Sequence, residues 1–303
     1  MTEQQTILVT GATGLIGARL TRALEAKGHT VLKAVRRQAN NDREVRWIQE
    51  RAELDATRLE GIDGVVHLAG ANIAGQRWSE HYKQEIRESR VKGTRLVAET
   101  LAKLASKPRV FVCASAIGYY GDRGDEQLTE DSPPGKGFLP EVCTAWEDAC
   151  QTARDAGIRT VNTRIGVVLS KEGGALKSML LPFKLGLGGV VGNGRQYFSW
   201  MALDDIVSAL QFVLTNDSLS GPANLVSPQT VTNRELTKTL GKVLGKPTIF
   251  PLPGFAARLA LGEMADELLL SSTRVAPTKL QQAGFNYAYP ELETALRHEL
   301  GRS

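Results

Sequence analysis

Three glycines, Gly11, Gly14 and Gly17, stand three residues apart between an apolar run, Ile7-Leu8-Val9, and a stretch carrying Leu15, Ile16, Leu20 and Leu24 at helical intervals. Each has its own use. The first lets the chain turn sharply after a strand, the second lets backbone approach a pyrophosphate, and the third lets the helix lie close on the sheet. The amides of that helix N-terminus then point at negative charge. Strand, spacing and helix agree, so the turn is read as a dinucleotide site with Gly11, Thr13, Gly14, Leu15, Ile16 and Gly17 around the phosphates. At the end of the second strand an Asp or Glu would select a ribose 2′-hydroxyl. Here the chain reads Val31-Leu32-Lys33-Ala34-Val35-Arg36-Arg37, with no carboxylate. An arginine fork suits a 2′-phosphate, so NADP(H) is expected at Arg36 and Arg37, either of which could instead be a solvated strand end. Leu54 and Asp55 are expected near the adenine, and Leu68, Ala69 and Gly70 near the nicotinamide side. His67, inside an apolar strand end, reads as packing.

Positioning these groups requires alternating strands and helices, and the first half supplies them. Strands are expected near 6–10, 30–35, 64–68, 109–114 and 159–163, and helices near 14–27, 79–105 and 138–156, the second opened by Ser79 as N-cap. That alternation implies an α/β fold, a Rossmann-like doubly wound parallel sheet. Beyond about residue 165 glycines crowd between 173 and 194, followed by helices near 204–215, 233–244, 254–270 and 289–299. The chain is therefore divided into an NADP-binding domain, 1–165, with a return segment near 204–226, and a smaller α+β substrate-binding domain, 166–303. Arg195 and Gln196, beside Phe198 and Trp200, suit a polyhydroxylated substrate or pack the seam. Asp204 and Asp205 read as a helix cap. Tyr119 and Tyr120 lie just past the fifth strand, where open α/β sheets bind ligands; each is a proton donor, a substrate contact or packing. Cys143 lacks a neighbouring His or Lys to activate it and reads as buried.

The 303 residues carry a net charge of +4 with scattered basic residues, which gives nucleic-acid binding little support. Three cysteines form no CxxC pair, and no metal site is assigned. No apolar stretch approaches the roughly 18 residues of a membrane span, and polar Thr2 to Thr6 run straight into the first strand, so a cytoplasmic chain without a membrane partner is expected.

The TGATGLIG turn, the His67-Leu68-Ala69-Gly70 strand end and Gly118-Tyr119-Tyr120-Gly121 resemble the extended short-chain dehydrogenase/reductase superfamily. More closely, the chain looks like its atypical epimerase-family branch, the YfcH-like or nucleoside-diphosphate-sugar epimerase-like proteins. Arg77-Trp78, Ile86 to Val91, Trp146-Glu147, Gly192 to Gln196, Phe198-Ser199-Trp200 and Ser271 to Val275 carry this likeness nearly end to end. The resemblance implies an NADP(H)-dependent oxidoreductase or epimerase acting on a small polar or sugar-derived molecule, or else a non-catalytic NADP(H)-binding sensor or scaffold. Typical members place a Tyr four residues before a Lys on the helix after the fifth strand, where the ammonium lowers the phenol pKa from about 10. That helix here has neither; Val142 and Trp146 stand at or near the two positions. The resemblance puts Ser115 at the substrate-orienting serine position and Arg90 in place of the usual Asn, aimed at the nicotinamide side. Lys83 and Arg87, on the same helix face, read as a solvated stripe. It also implies a homodimer through helices 79–105 and 138–156.

Overall fold

The structure is a computed structural model describing residues 4–302. Its centre is an eight-stranded sheet built on β1 (Thr6–Thr10), β2 (Thr30–Val35), β3 (Glu44–Ile48), β4 (Glu53–Leu54), β5 (Gly64–His67) and β6 (Val110–Ala116). Arg159–Ile165 and Gly221–Leu225 complete it, in the order Gly221–Leu225, Arg159–Ile165, β6, β5, β1, β2, β3, β4. Every neighbouring pair is parallel except β3 with β4. The direction of winding reverses between β1 and β5, and a doubly wound sheet binds its ligand outside the carboxyl ends of the strands at such a point.

Both faces of the sheet are covered, because side chains alternate along each strand. Ile7 and Val9 of β1 face one core with Leu20 and Leu24 of α1 (Leu15–Ala26) and with Ile206, Leu210 and Val213 of the helix Leu203–Thr215. Leu8 faces the other, with Val97 and Leu101 of α2 (Glu80–Lys103) and Trp146 of α3 (Phe138–Asp148). A third core unites Leu176, Leu180, Trp200, Leu236, Leu240 and Leu296 in the second half. No described helix is long and apolar enough to cross a membrane.

The Rossmann-like α/β architecture is as expected, and Ser79 caps α2, its hydroxyl accepting from the Tyr82 amide at 3.2 Å. Several details differ. The helix expected over 138–156 is broken at Ala149 and Cys150, where the Cys150 amide reaches back only three residues, to Glu147. The helix expected over 254–270 stops at Gly262, whose φ of +64° and ψ of −141° no helix accommodates. β3 and the edge strand Gly221–Leu225 were not among the expected strands. Asp204 and Asp205 do not cap their helix, which starts at Leu203 after Ala202. They lie in its first turn, where the helix dipole favours carboxylates. Asp204 pairs with Arg19 at 2.8 Å, and Asp205 accepts from the Ala288 and Tyr289 amides.

Candidate functional site

A cleft of about 1330 Å³ opens at the carboxyl ends of β1, β2 and β5. Gly11 to Gly14 form its floor, Ala34 to Arg37 one wall, and Leu68 to Asn72 the other. Gly11 has φ +66°, and a Cβ there would stand 2.9 Å from the Leu68 carbonyl carbon. A Cβ on Gly17 would come within 2.1 Å of the Gly11 carbonyl oxygen, so the close approach this glycine permits is onto the turn itself. Gly14 begins α1 without a side-chain cap, leaving the first amides of a twelve-residue helix free for an anion. Leu15 and Ile16 contribute those amides while their side chains pack on the core of α1.

At the ribose end the two arginines part company. The Arg37 guanidinium grips Glu44 of β3 with bonds of 2.8 and 2.6 Å, and this pairing holds the Glu44 carboxyl down at about 2. The expectation that no carboxylate is at hand is therefore corrected: the neighbouring strand supplies one, and it is spent on Arg37. Arg36 lines the cleft with no side-chain partner among the described residues. Leu54 pairs in β4 opposite Trp47, and the Asp55 carboxylate caps the turn at Thr57. Neither lines the cleft, whose wall there is Trp47 and Gln49. Those two were missed, although Val45 and Trp47 alternate inward as a half-buried strand requires.

The wall after β5 is clamped from α2. Ser89 accepts from the Ala71 amide at 3.0 Å, Arg90 donates to the Ala71 carbonyl at 3.1 Å and to that of Ile86 at 3.0 Å, and the Tyr82 hydroxyl donates to the Asn72 carbonyl. The Arg90 guanidinium lies 5.1 Å from the Trp146 ring, and burial draws its pKa down. Thus the cation of this region comes from α2 and stacks on an indole of α3. Val142 packs on Tyr82 and Ile86. Cys143 is buried as expected, and burial pushes its thiol up to about 12.

At the end of β6 a buried polar chain begins. Ser115 donates its hydroxyl hydrogen to Glu147 at 2.7 Å, and Glu147 is gripped by Arg164 through bonds of 2.8 and 2.9 Å. Arg164 also donates to the Tyr120 hydroxyl at 3.0 Å, and Tyr120 donates to Asn224 at 2.7 Å. Tyr120 is wholly buried and its phenol is raised to about 12 by burial. The two tyrosines therefore differ in kind. Tyr119 is only partly buried, with its ring 3.5 Å from the Arg164 guanidinium. Burial raises its phenol while that cation opposes the shift.

The second-half candidates do not gather at the cleft. Gln196 is buried, its amide donating to the Val191 and Leu269 carbonyls at 3.0 and 3.1 Å. Trp200 is wholly inside the third core. Of the two readings, substrate wall or packing, both thus take packing, while Arg195 is exposed. A second hollow, of about 710 Å³, lies between the N-terminal ends of α2 and α3 and shares His81 and Gln84 with the cleft. Lys83 there is no free member of a solvated stripe. It pairs with Glu80 at 2.8 Å and with Glu263 of the second half at 2.9 Å.

Residues 7–226 match the NAD dependent epimerase/dehydratase family, and residues 252–299 match a domain of unknown function, DUF1731. The chain belongs to the NAD dependent epimerase/dehydratase family. Within it, this epimerase-family chain is similar to epimerase family protein Mb2239 of Mycobacterium bovis, at 43% identity over 98% of each chain. It is 37% identical to epimerase family protein YfhF of Bacillus subtilis, over 96% of either chain. The crystal structure of human epimerase family protein SDR39U1 (isoform 2) with NADPH superposes with a TM-score of 0.89 at 34% identity, covering 98% of this chain and all of that one. These are members of the atypical extended short-chain dehydrogenase/reductase group.

Proposed function

We propose that this chain is an NADP(H)-dependent oxidoreductase or epimerase that works on a small polar, carbonyl- or sugar-derived substrate. The observation that carries the cofactor assignment is the cleft at the winding reversal, with a glycine turn that side chains would fill and an unpartnered Arg36 at its ribose end. The NADPH bound by the similar human protein supports it. In this reading the α1 amides hold the diphosphate and Arg36 the 2′-phosphate, while Arg37 is fixed by Glu44. The nicotinamide, once bound, supplies or receives hydride. Arg90, Ser89 and Tyr82 hold the 71–72 loop that borders the nicotinamide side. Ser115, with its hydrogen given to Glu147, offers lone pairs to a substrate hydroxyl. Tyr119, a phenol that stays protonated at neutral pH and is not committed as Tyr120 is, donates the proton. Residues 166–303 provide the substrate side.

A second reading, an NADP(H)-binding sensor or scaffold without catalysis, draws on the apolar pair Val142 and Trp146. One experiment separates the two. Arg36→Ala is expected to weaken NADPH about 10- to 100-fold and NADH hardly at all, read by calorimetric titration. NADPH carrying deuterium at C4 is then offered with a panel of carbonyls and nucleotide sugars. Stereospecific loss of label, abolished in Tyr119→Phe, establishes catalysis; tight NADPH binding with no transfer across the panel establishes the sensor. Equal affinity for NADPH and NADH in the unaltered chain defeats the cofactor assignment itself.

A further inference from the structure

Ser115 and Arg164 stand opposite one another across β6 and the strand Arg159–Ile165, at the carboxyl ends of both. Glu147 of α3 bonds to each, so the two side chains leave the same face of the sheet. The ion pair is buried, its side chains only 3% and 12% exposed. Apolar groups packed in place of such a pair often give an equally stable fold, so stability alone is weak reason for charge here.

Arg164 carries five N–H groups in one plane. Nε and Nη2 donate to the two Glu147 oxygens, and Nη1 donates to the Tyr120 hydroxyl at 3.0 Å and to the Glu130 carbonyl at 3.3 Å. Four of the five hydrogens are thus engaged, which leaves one Nη2 hydrogen and the flat face of the guanidinium. Tyr119 takes that face, its ring centroid 3.5 Å from the guanidinium carbon. Tyr120, edge-on to Tyr119 at 5.3 Å and bonded to Asn224, anchors the guanidinium in its own plane. A cation over a ring holds a phenol weakly and a phenolate strongly, because ionisation puts a full negative charge beside it. The charged groups facing Tyr119 are Arg164 and, from α3, Glu147 and Asp148; the carboxylates disfavour the phenolate and Arg164 favours it.

We infer that Arg164, fixed by Glu147, is a positioning residue of the reaction: it holds the Tyr119 ring and stabilises the phenolate that proton donation leaves. This rests on the reading of Tyr119 as proton donor. In that step the phenol O–H breaks and its proton goes to the substrate oxygen while the carbonyl carbon gains hydride from NADPH. The carbonyl is reduced, the nicotinamide is oxidised, and solvent reprotonates the phenolate.

The test reads the phenol itself. Difluorotyrosine at position 119, fluorinated at both carbons beside the hydroxyl so that it titrates near neutral pH, reports its ionisation by fluorine NMR without any substrate. Glu147→Gln is compared with Glu147→Gln plus Arg164→Gln, so that the carboxylate is absent from both and only the cation differs. The second variant is expected to titrate at least about 1 pH unit higher, a tenfold gain in proton affinity. Coincident titrations, or a lower one, would overturn the inference. Should either variant lack cooperative urea unfolding, Arg164→Lys alone keeps the charge but gives up the flat face, and is expected to raise the titration by roughly half a unit; no change from the unaltered chain would again overturn it. With any panel carbonyl that reacts, loss of the Arg164 cation is expected to lower kcat at least about tenfold with KM nearly unchanged. Absence of label transfer across the panel would instead defeat the catalytic reading, whatever the titrations show.

Discussion

His67 closes β5 with its ring wholly buried between Trp47, 5.8 Å away, and Phe111, 6.3 Å away. The Thr10 hydroxyl oxygen already accepts from the Leu68 and Ala69 amides at 3.2 and 3.3 Å. Only its hydrogen remains for the His67 Nδ1, 2.7 Å away, which puts the ring proton on Nε2. Burial pushes the imidazole down from 6.5 to about 4. The unfolded chain therefore takes up a proton at this site at a pH where the folded one does not. The contribution is fully present above about pH 6.5 and is lost as pH falls toward 4, by on the order of 3 kcal/mol. Urea unfolding followed from pH 7 to pH 4 should show this slope, and His67→Gln should flatten it; an unchanged slope in the variant would assign acid sensitivity elsewhere. The role of His67 as packing was readable from its apolar neighbours, and so was the glycine turn, because local backbone geometry dictates both. The fate of Arg37 was not, since Glu44 meets it only through the pairing of β2 with β3.

At the scale of elements, periodicity located the helices but not their interruptions. Nothing in Gly254-Phe-Ala-Ala-Arg-Leu-Ala-Leu-Gly262-Glu-Met-Ala breaks the apolar rhythm, so the glycine passes for a tolerated interior one. In the fold, Gly262 takes a backbone conformation reserved for glycine, and a Cβ there would stand 3.3 Å from the Arg77 guanidinium. The turn redirects the chain so that Glu263 reaches Lys83 on α2. Gly262→Ala is expected to cost about 1–3 kcal/mol, measured as a lower urea midpoint at constant m. Gly157→Ala, also at positive φ (+80°) but with nothing within 4 Å of its Cβ, separates the cost of the positive φ from that of the tight 3.3 Å contact with Arg77. Equal losses in the two variants would assign the whole effect to strain.

For the molecule as a whole, sequence order and spatial order diverge after residue 165, and this limits what a linear reading can divide. The strand Gly221–Leu225 pairs in parallel with Arg159–Ile165 at the sheet edge, and the helix Leu203–Thr215 packs beside α1. That helix buries Leu203, Ile206, Val207, Leu210, Val213 and Leu214. At roughly 1.5–3 kcal/mol for each large side chain, this amounts to on the order of 10 kcal/mol, as much as a typical domain's entire net stability. A fragment ending at 165 would leave Leu20, Leu24, Val9 and Val161 facing solvent and Arg159–Ile165 as a bare edge open to pairing with other chains. We expect residues 1–165 to show no cooperative thermal transition and no NADPH binding despite holding the whole glycine turn and both arginines. A chain extended to residue 226 regains the edge strand and the covering helix, and with them a sigmoidal transition and cofactor affinity. Cooperative unfolding of the 1–165 fragment with bound NADPH would show instead that α1 and the six parallel strands up to Ile165 suffice, and that the returning segment stabilises a domain already formed.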